Sequence, residues 1–511
     1  METRIKERIG KHFFIRLVAL CLVCLMLGMA AACGNAGTEA GRETGKEPVD
    51  TKAETEFVTE TEAAGESETL PERYRADVPD SDFENWEFRV LVSDPGTVVW
   101  YDTDFSVTDF TGDIVEDAVY NRNKNVEEDL HIRLTPVWAN PLMSQLDKSV
   151  TAGTDDFDIC FAPPQPVNAY IQRGYFVNLY DVPHLNLAAP WWDQNAVQGL
   201  KFDDQLYLAC GGIGYNYLRS TSVLFFSKPV AKEFQLDDPY AMVENGTWTL
   251  EAFFDLAEQA TVDLGGGGTD PSQDQMGLVY CGDSAYQWMI GAGVNFIVTD
   301  SNHRNPEMVI VNSDTIEVFD MLTSFLYSQS ANWDKTHVNA AVQFLGGKLL
   351  FLPTEFWVIS QLREGQDFGV LPLPKYDEYQ ENYRHTVNQT VASMMLIPQT
   401  NRRLSDTGIV VETLAAEGQN DIISAYIERS LITRDARDAE SEKPIRTIFS
   451  TIHYDLGFMY DIGGIKSTLT VLVNGTNTNF VSTIERQTNI INDEIAKMVE
   501  NYATMKKNHG A

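Results

Sequence analysis

Residues 88–162 alternate short apolar runs with helical patterns, and that alternation limits the fold more than any other stretch of the chain. Phe88–Ser93 is an apolar run suited to a buried strand. Asp113–Asp129 then carries Ile114, Val115, Ala118, Val119 and Val126 at helical spacing. His131–Val137 reads as a second strand, Leu142–Ala152 as a helix, and Phe157–Ala162 as a third strand closed by Pro163-Pro164. Strand, helix and strand in succession predict an α/β domain with a mostly parallel sheet and right-handed crossovers. Ligands in such sheets sit beyond the carboxyl ends of the strands. Two loops are therefore singled out: Asp94–Asp102, with Trp100 and Tyr101, and Pro163–Asn168, with Gln165.

The body of the chain, roughly residues 82–505, is too long for one ordinary core and predicts two lobes. What precedes it is of another kind. Arg4, Lys6, Arg8, Lys11 and Arg16 form a basic start, followed by the apolar run Leu17–Ala32 and then Cys33. A basic segment, a short apolar segment and small residues describe a secretory signal rather than a retained span. Cys33 directly after Ala30-Ala31-Ala32 resembles the bacterial lipobox, although Ala30 stands where that motif usually has leucine. The resemblance implies removal of residues 1–32, acylation of Cys33 (palmitate among the chains) and an anchor at the outer face of a cell membrane, in a cell of Gram-positive type. Two acyl chains hold a protein at a membrane, whereas one does so only marginally. Residues 33–80 are rich in Thr, Glu, Gly and Ala and read as a disordered acidic linker.

The formal net charge is −36, and loss of the leader removes five basic and two acidic residues, giving −39. Such acidity repels phosphate and argues against nucleic acid as a partner. Cys160, Cys210 and Cys281 remain, all in apolar contexts, and read as buried thiols with room for at most one disulfide. Their spacing fits no zinc site. Asp263-Leu-Gly-Gly-Gly-Gly-Thr-Asp270, with Asp274, has the acidity of a calcium loop but glycines at the alternate positions, so a flexible loop is expected. No nucleophile elbow, P-loop, HExxH or dinucleotide fingerprint occurs. No metal, no cofactor and no catalytic group is expected.

Several segments then occur in a telling order: Gly174-Tyr-Phe-Val-Asn-Leu-Tyr180, Pro190-Trp-Trp-Asp-Gln194, Asp204-Gln-Leu-Tyr207, Val223-Leu-Phe-Phe-Ser-Lys228 and Gly246-Thr-Trp-Thr-Leu250. Phe344-Leu-Gly-Gly-Lys-Leu-Leu350, Phe368-Gly-Val-Leu-Pro-Leu-Pro-Lys375 and the apolar run Ala392–Pro398 follow. Together they resemble the extracellular solute-binding proteins of ABC importers, the group related to maltose-binding protein. The resemblance implies a two-lobe α/β periplasmic-binding-protein-like fold of type II, with a ligand cleft between lobes joined by several crossings. Mapped by that resemblance, lobe one comprises 86–217 with 332–380, and lobe two comprises 222–330 with 385–500. The run Ala392–Pro398 resembles the second return crossing.

The implied function is a membrane-tethered receptor that captures a carbohydrate, an oligosaccharide by preference, and delivers it to ABC permease subunits. The expected protein is a monomer and not an enzyme. A secreted glycan-processing enzyme, a glycan sensor or adhesin, and a receptor for a peptide or polyamine are the alternatives. Sugars offer apolar C–H faces rimmed by hydroxyls, so aromatic platforms and planar polar groups are sought in cleft-facing loops. Trp100, Tyr101, Gln165, Trp191, Trp192, Tyr215, Asn216, Trp288, Glu355 and Trp357 are the candidates. Aromatics also fill cores. Trp248 is expected to be core, beside Thr249 as helix cap, and one of the adjacent pair Trp191-Trp192 should be core too, since neighbours cannot share a face.

Overall fold

The structure is a computed structural model that describes residues 73–94, 104–270, 272–281, 285–334, 337–362, 365, 367–436, 439–474 and 479–509. Its strands are β1 Trp86–Ser93, β2 Ile132–Ala139, β3 Ile159–Ala162, β4 Ser222–Ser227, β5 Met276–Cys281, β6 Ile297–Val298, β7 Glu307–Met308, β8 Ala331–Asp334, β9 Leu349–Glu355, β10 Phe368–Leu371 and β11 Met394–Leu396. They form one sheet in the order β11-β3-β1-β2, a second in the order β10-β4-β9-β5-β8, and a ribbon of β6 with β7.

The opening strands and helices lie where the sequence pattern puts them. β1 runs parallel to both β2 and β3. Phe88, Val90, Leu91 and Val92 are all buried, as a central parallel strand requires. The helix Ile114–Leu130 starts because the Asp113 carboxylate accepts from the amides of Val115 (2.9 Å) and Glu116 (3.3 Å). It buries Val115, Ala118, Val119 and Val126. Thr249 caps the helix Leu250–Gln259, and Trp248 is fully buried with its indole N–H on the carbonyl of Pro372 at 2.9 Å. Cys160, Cys210 and Cys281 are buried, and no disulfide joins them.

The sheets divide the chain differently from the expected 332–380 and 385–500 allocation. β8, β9 and β10 belong with β4 and β5, because β9 lies parallel to β5 and antiparallel to β4 in the centre of the second sheet. β11 instead joins β3, antiparallel, and the following helix Leu404–Gly418 packs on Ile114–Leu130. The run Ala392–Pro398 is thus mostly an edge strand of the first sheet. The return crossing is just before it: Ser222 donates to the Thr386 carbonyl and Asn388 to that of Ser220, each at 2.9 Å, with Thr221 paired antiparallel to Val387.

Two further departures concern segments read as loose. Residues 73–80 are docked rather than linker-like. Arg73 reaches Glu417 (2.7 Å) and Asp421 (2.9 Å), and Asn420 exchanges two hydrogen bonds with the backbone of Tyr74. In the glycine-rich loop, the Asp263 carboxylate accepts the amides of Gly265 through Gly268. Gly267 and Gly268 hold φ of 142° and 105°, where other residues are strained. Those amides hold the Asp263 carboxyl below its usual range. Among the described residues no group of three His, Cys, Asp or Glu is arranged to hold a metal.

One buried group makes the crossing sensitive to acid. His385 is fully buried; its Nε2 accepts from the Leu373 amide at 3.0 Å and its Nδ1 lies 2.9 Å from Thr451 Oγ1. An accepting Nε2 requires the Nδ1–H tautomer. Burial pushes its pKa from 6.5 down to about 3. The unfolded chain therefore binds the proton first, so stability is complete above pH 6.5 and is lost as pH falls from there toward 3. His385→Gln keeps an acceptor but cannot ionise. Calorimetry at pH 7 and pH 4 should show the unfolding midpoint of the parent falling relative to that of this variant on acidification.

Candidate functional site

Five of the candidates meet where the chain crosses between lobes. Glu355 ends β9, and its buried carboxylate accepts the Trp357 indole N–H at 2.9 Å and the Asn388 amide at 2.8 Å. Trp357 itself is half-buried. The turn Phe356–Val358 packs against the short helix Asn216–Arg219, which Tyr215 precedes. Tyr215 donates its amide to Asp104 at 3.0 Å, and Arg219 stands 5.7 Å over its ring. Asn216 Oδ1 accepts from the Ser393 amide at 2.8 Å, tying that helix to the chain entering β11. Gln165 opens the helix Pro164–Ile171 behind β3, and its amide donates to the carbonyl of Gln389 at 3.1 Å.

Other candidates lie elsewhere. Trp288 is fully buried against Phe253 and Tyr280, so it is core of the second lobe. Trp191 and Trp192 are both core residues of the first lobe, 7% and 2% exposed, where one was expected to be free. Trp192 donates to Glu412 on the helix Leu404–Gly418 at 3.1 Å, and Trp191 meets Tyr74 edge-on. Hydrogen bonding to a buried carboxylate accounts for Trp192, whereas the Trp191 indole N–H is buried without a hydrogen-bond partner in the protein. Trp100, Tyr101 and Cys33 lie outside the described residues.

The structure adds residues that no motif marked. Asn388 and Gln389 lie on the return crossing, and Gln389 is fully buried with no protein partner for either carboxamide atom. Gln287, which the sequence did point to beside Trp288 in lobe two, lies on the helix Ala285–Gly291 in the same condition. Tyr426 comes from the π-helix Ala425–Ala436, which packs against both Ile114–Leu130 and Ile359–Leu362. Its ring is 5.2 Å from that of Tyr215, and its buried hydroxyl has no protein partner. Irregular helices of this kind are frequent at functional sites. The one sequence signal was the polar run His385-Thr-Val-Asn-Gln-Thr390 ahead of an apolar strand.

A two-lobe α/β binding protein with polar and aromatic groups gathered at its crossings is the class that this geometry defines. The family model of the bacterial extracellular solute-binding proteins matches residues 122–402, more than half of the chain, and the chain belongs to that family. No curated protein matches it in sequence. Among solved structures it is similar to a cyclo/maltodextrin-binding protein complexed with maltotetraose, at TM-score 0.53 and 11% identity over 83% of this chain and 99% of that one. An extracellular solute-binding protein of Staphylococcus aureus with maltose gives 0.53 and 13%, over 82% and 99%. An ABC substrate-binding protein of Listeria monocytogenes with cycloalternan gives 0.50 and 13%, over 80% and 98%. These likenesses show the two-lobe periplasmic-binding-protein-like fold expected from the sequence. Among the described residues no helix is long and apolar enough to cross a membrane.

Burial pushes the Glu412 carboxyl from 4.5 up to about 7, although Trp192 donates to it. Between those values the folded state holds the proton and the unfolded chain does not, so stability falls as pH rises through the window. Glu412→Gln keeps an acceptor for Trp192 and removes the ionisation. On going from pH 5 to pH 8, the unfolding midpoint of that variant should rise relative to that of the parent.

Proposed function

We propose that this chain is a membrane-tethered extracellular receptor that captures a carbohydrate between its lobes and delivers it to the permease of an ABC importer. One observation carries the carbohydrate reading. At the crossings a half-buried indole, Trp357, shares the Glu355 carboxylate with the Asn388 carboxamide, and the next residue, Gln389, is bonded through its backbone to Gln165. An indole face suits the C–H face of a pyranose, and carboxamides both donate to and accept from hydroxyls. The structural relatives bound to maltotetraose, maltose and cycloalternan support the same class.

Capture is mechanical. The paired segments 220–222 and 385–388 bend as a unit, and closure over the sugar removes both its faces from water. Among the described residues at the junction, the Glu355 carboxylate holds Trp357 and Asn388, and that of Asp104 holds the amide of Tyr215. That arrangement favours binding over glycosidic cleavage, which needs one carboxyl poised as an acid and another as base or nucleophile. Acylated Cys33 would keep the receptor beside its permease, with the acidic segment after it as a leash.

Isothermal titration of the full-length protein should detect a neutral oligosaccharide from a panel of maltotetraose, cellotetraose and xylotetraose. Trp357→Ala should weaken binding roughly 30-fold, the about 2 kcal/mol typical of a buried aromatic anchor. Binding of spermidine or a peptide alone would overturn the carbohydrate reading. Fractionation tests the tether separately: Cys33→Ala should move the protein from the membrane fraction to the medium or wash.

A further inference from the structure

Gln389 is held by its backbone and not by its side chain. Its carbonyl accepts from Gln165, and the preceding Asn388 binds Ser220 through its amide and Glu355 through its side chain. The carboxamide is fully buried and unpartnered within the protein. A buried polar group without a partner is less favourable than an apolar side chain of the same shape. Nothing in the packing of this crossing calls for glutamine over leucine or methionine.

The chemistry of the group limits its partner. A carboxamide offers one acceptor oxygen and two N–H donors and carries no charge. It matches two adjacent hydroxyls, each able to give and to take, and it neutralises neither an ammonium nor a carboxylate. Glu355, the nearby carboxylate, is already met by two N–H donors, at 2.8 and 2.9 Å. A cationic ligand would have to share those oxygens with both donors.

On the carbohydrate-receptor reading above, we infer that Gln389 is a specificity-determining residue that reads two neighbouring hydroxyls of an uncharged sugar. Glu355 is a positioning residue, fixing Trp357 and Asn388 around that sugar rather than facing a cation. Recognition then takes place on the segment that bends.

The test compares the full-length parent with Gln389→Leu and Gln389→Glu. Without ligand, Gln389→Leu should unfold at the same temperature as the parent or a few degrees higher. A drop of more than about 5 °C would make the carboxamide a structural group and overturn the proposal. With maltotetraose, cellotetraose, xylotetraose, spermidine and tetra-alanine as probes, the sugar that binds the parent should bind Gln389→Leu roughly 10- to 100-fold more weakly. Gln389→Glu should lose the sugar and gain a response to spermidine. Equal sugar affinity in parent and Gln389→Leu overturns the role of Gln389 and leaves the carbohydrate reading standing. A parent that binds only spermidine or tetra-alanine overturns both. If the parent binds none of the five, the carbohydrate reading falls, and the Gln389 assignment that rests on it falls too.

Discussion

The backbone pairing of Ser220–Ser222 with Thr386–Asn388 is the constraint on which the rest depends. Two separate passages of the chain between the lobes are hydrogen-bonded to each other, so neither can bend alone. The same pairing brings Asn388 and Gln389 beside the carboxyl end of β9, where Glu355 and Trp357 stand. Hinge and candidate site are therefore built from the same few residues. The helix Phe480–His509 adds a second link, with Phe480 against Phe319 of the second lobe and Tyr502 against Phe202 and Tyr207 of the first.

Buried ionisable groups mark the same regions with opposite signs. His385 is neutral in the fold and loses stability toward acid, while Glu412 loses it toward neutral pH. Their windows overlap between pH 4.5 and pH 6.5, and there the two contributions oppose each other and largely cancel. Of the two, only His385 belongs to the crossing. His385 braces the return crossing against Leu373 and Thr451, and Glu412 draws Trp192 into the first lobe.

Local pattern was a good guide wherever local pattern decides structure. The order of elements from Trp86 to Ala162, the Thr249 cap and the buried Trp248 follow from periodicity, capping chemistry and apolar context. The destination of a strand is a different matter. Leu349–Glu355 and Met394–Leu396 are both short apolar runs, and nothing within either says which sheet it will join. Partners far away in sequence settle that, and the expected lobe boundaries missed accordingly. The site shows the same division. Glu355 and Trp357 were legible as an aromatic and an acid after a strand, whereas Gln389 and Tyr426 became visible only because burial left their polar atoms without protein partners. Trp191, Trp192 and Trp288 were misjudged because an aromatic in a loop and an aromatic in a core look alike until neighbours such as Glu412 or Phe253 are placed.

Placing recognition on the crossings has an energetic consequence. A ligand shifts a two-state equilibrium only through its differential affinity, and moving a population from 1:99 to 99:1 takes about 5.5 kcal/mol of it. Contacts made wholly within one lobe bind open and closed forms alike and contribute nothing to that difference. Asn388 ends the paired segment proposed to bend, Gln389 follows it directly, and Trp357 is tied to it through Glu355. Their geometry relative to each lobe changes when the segment bends, so contacts to them can differ between the two states. A sugar held by these groups would couple its own binding to closure, and groups confined to either lobe core, such as Trp288 or Trp192, could not supply that coupling.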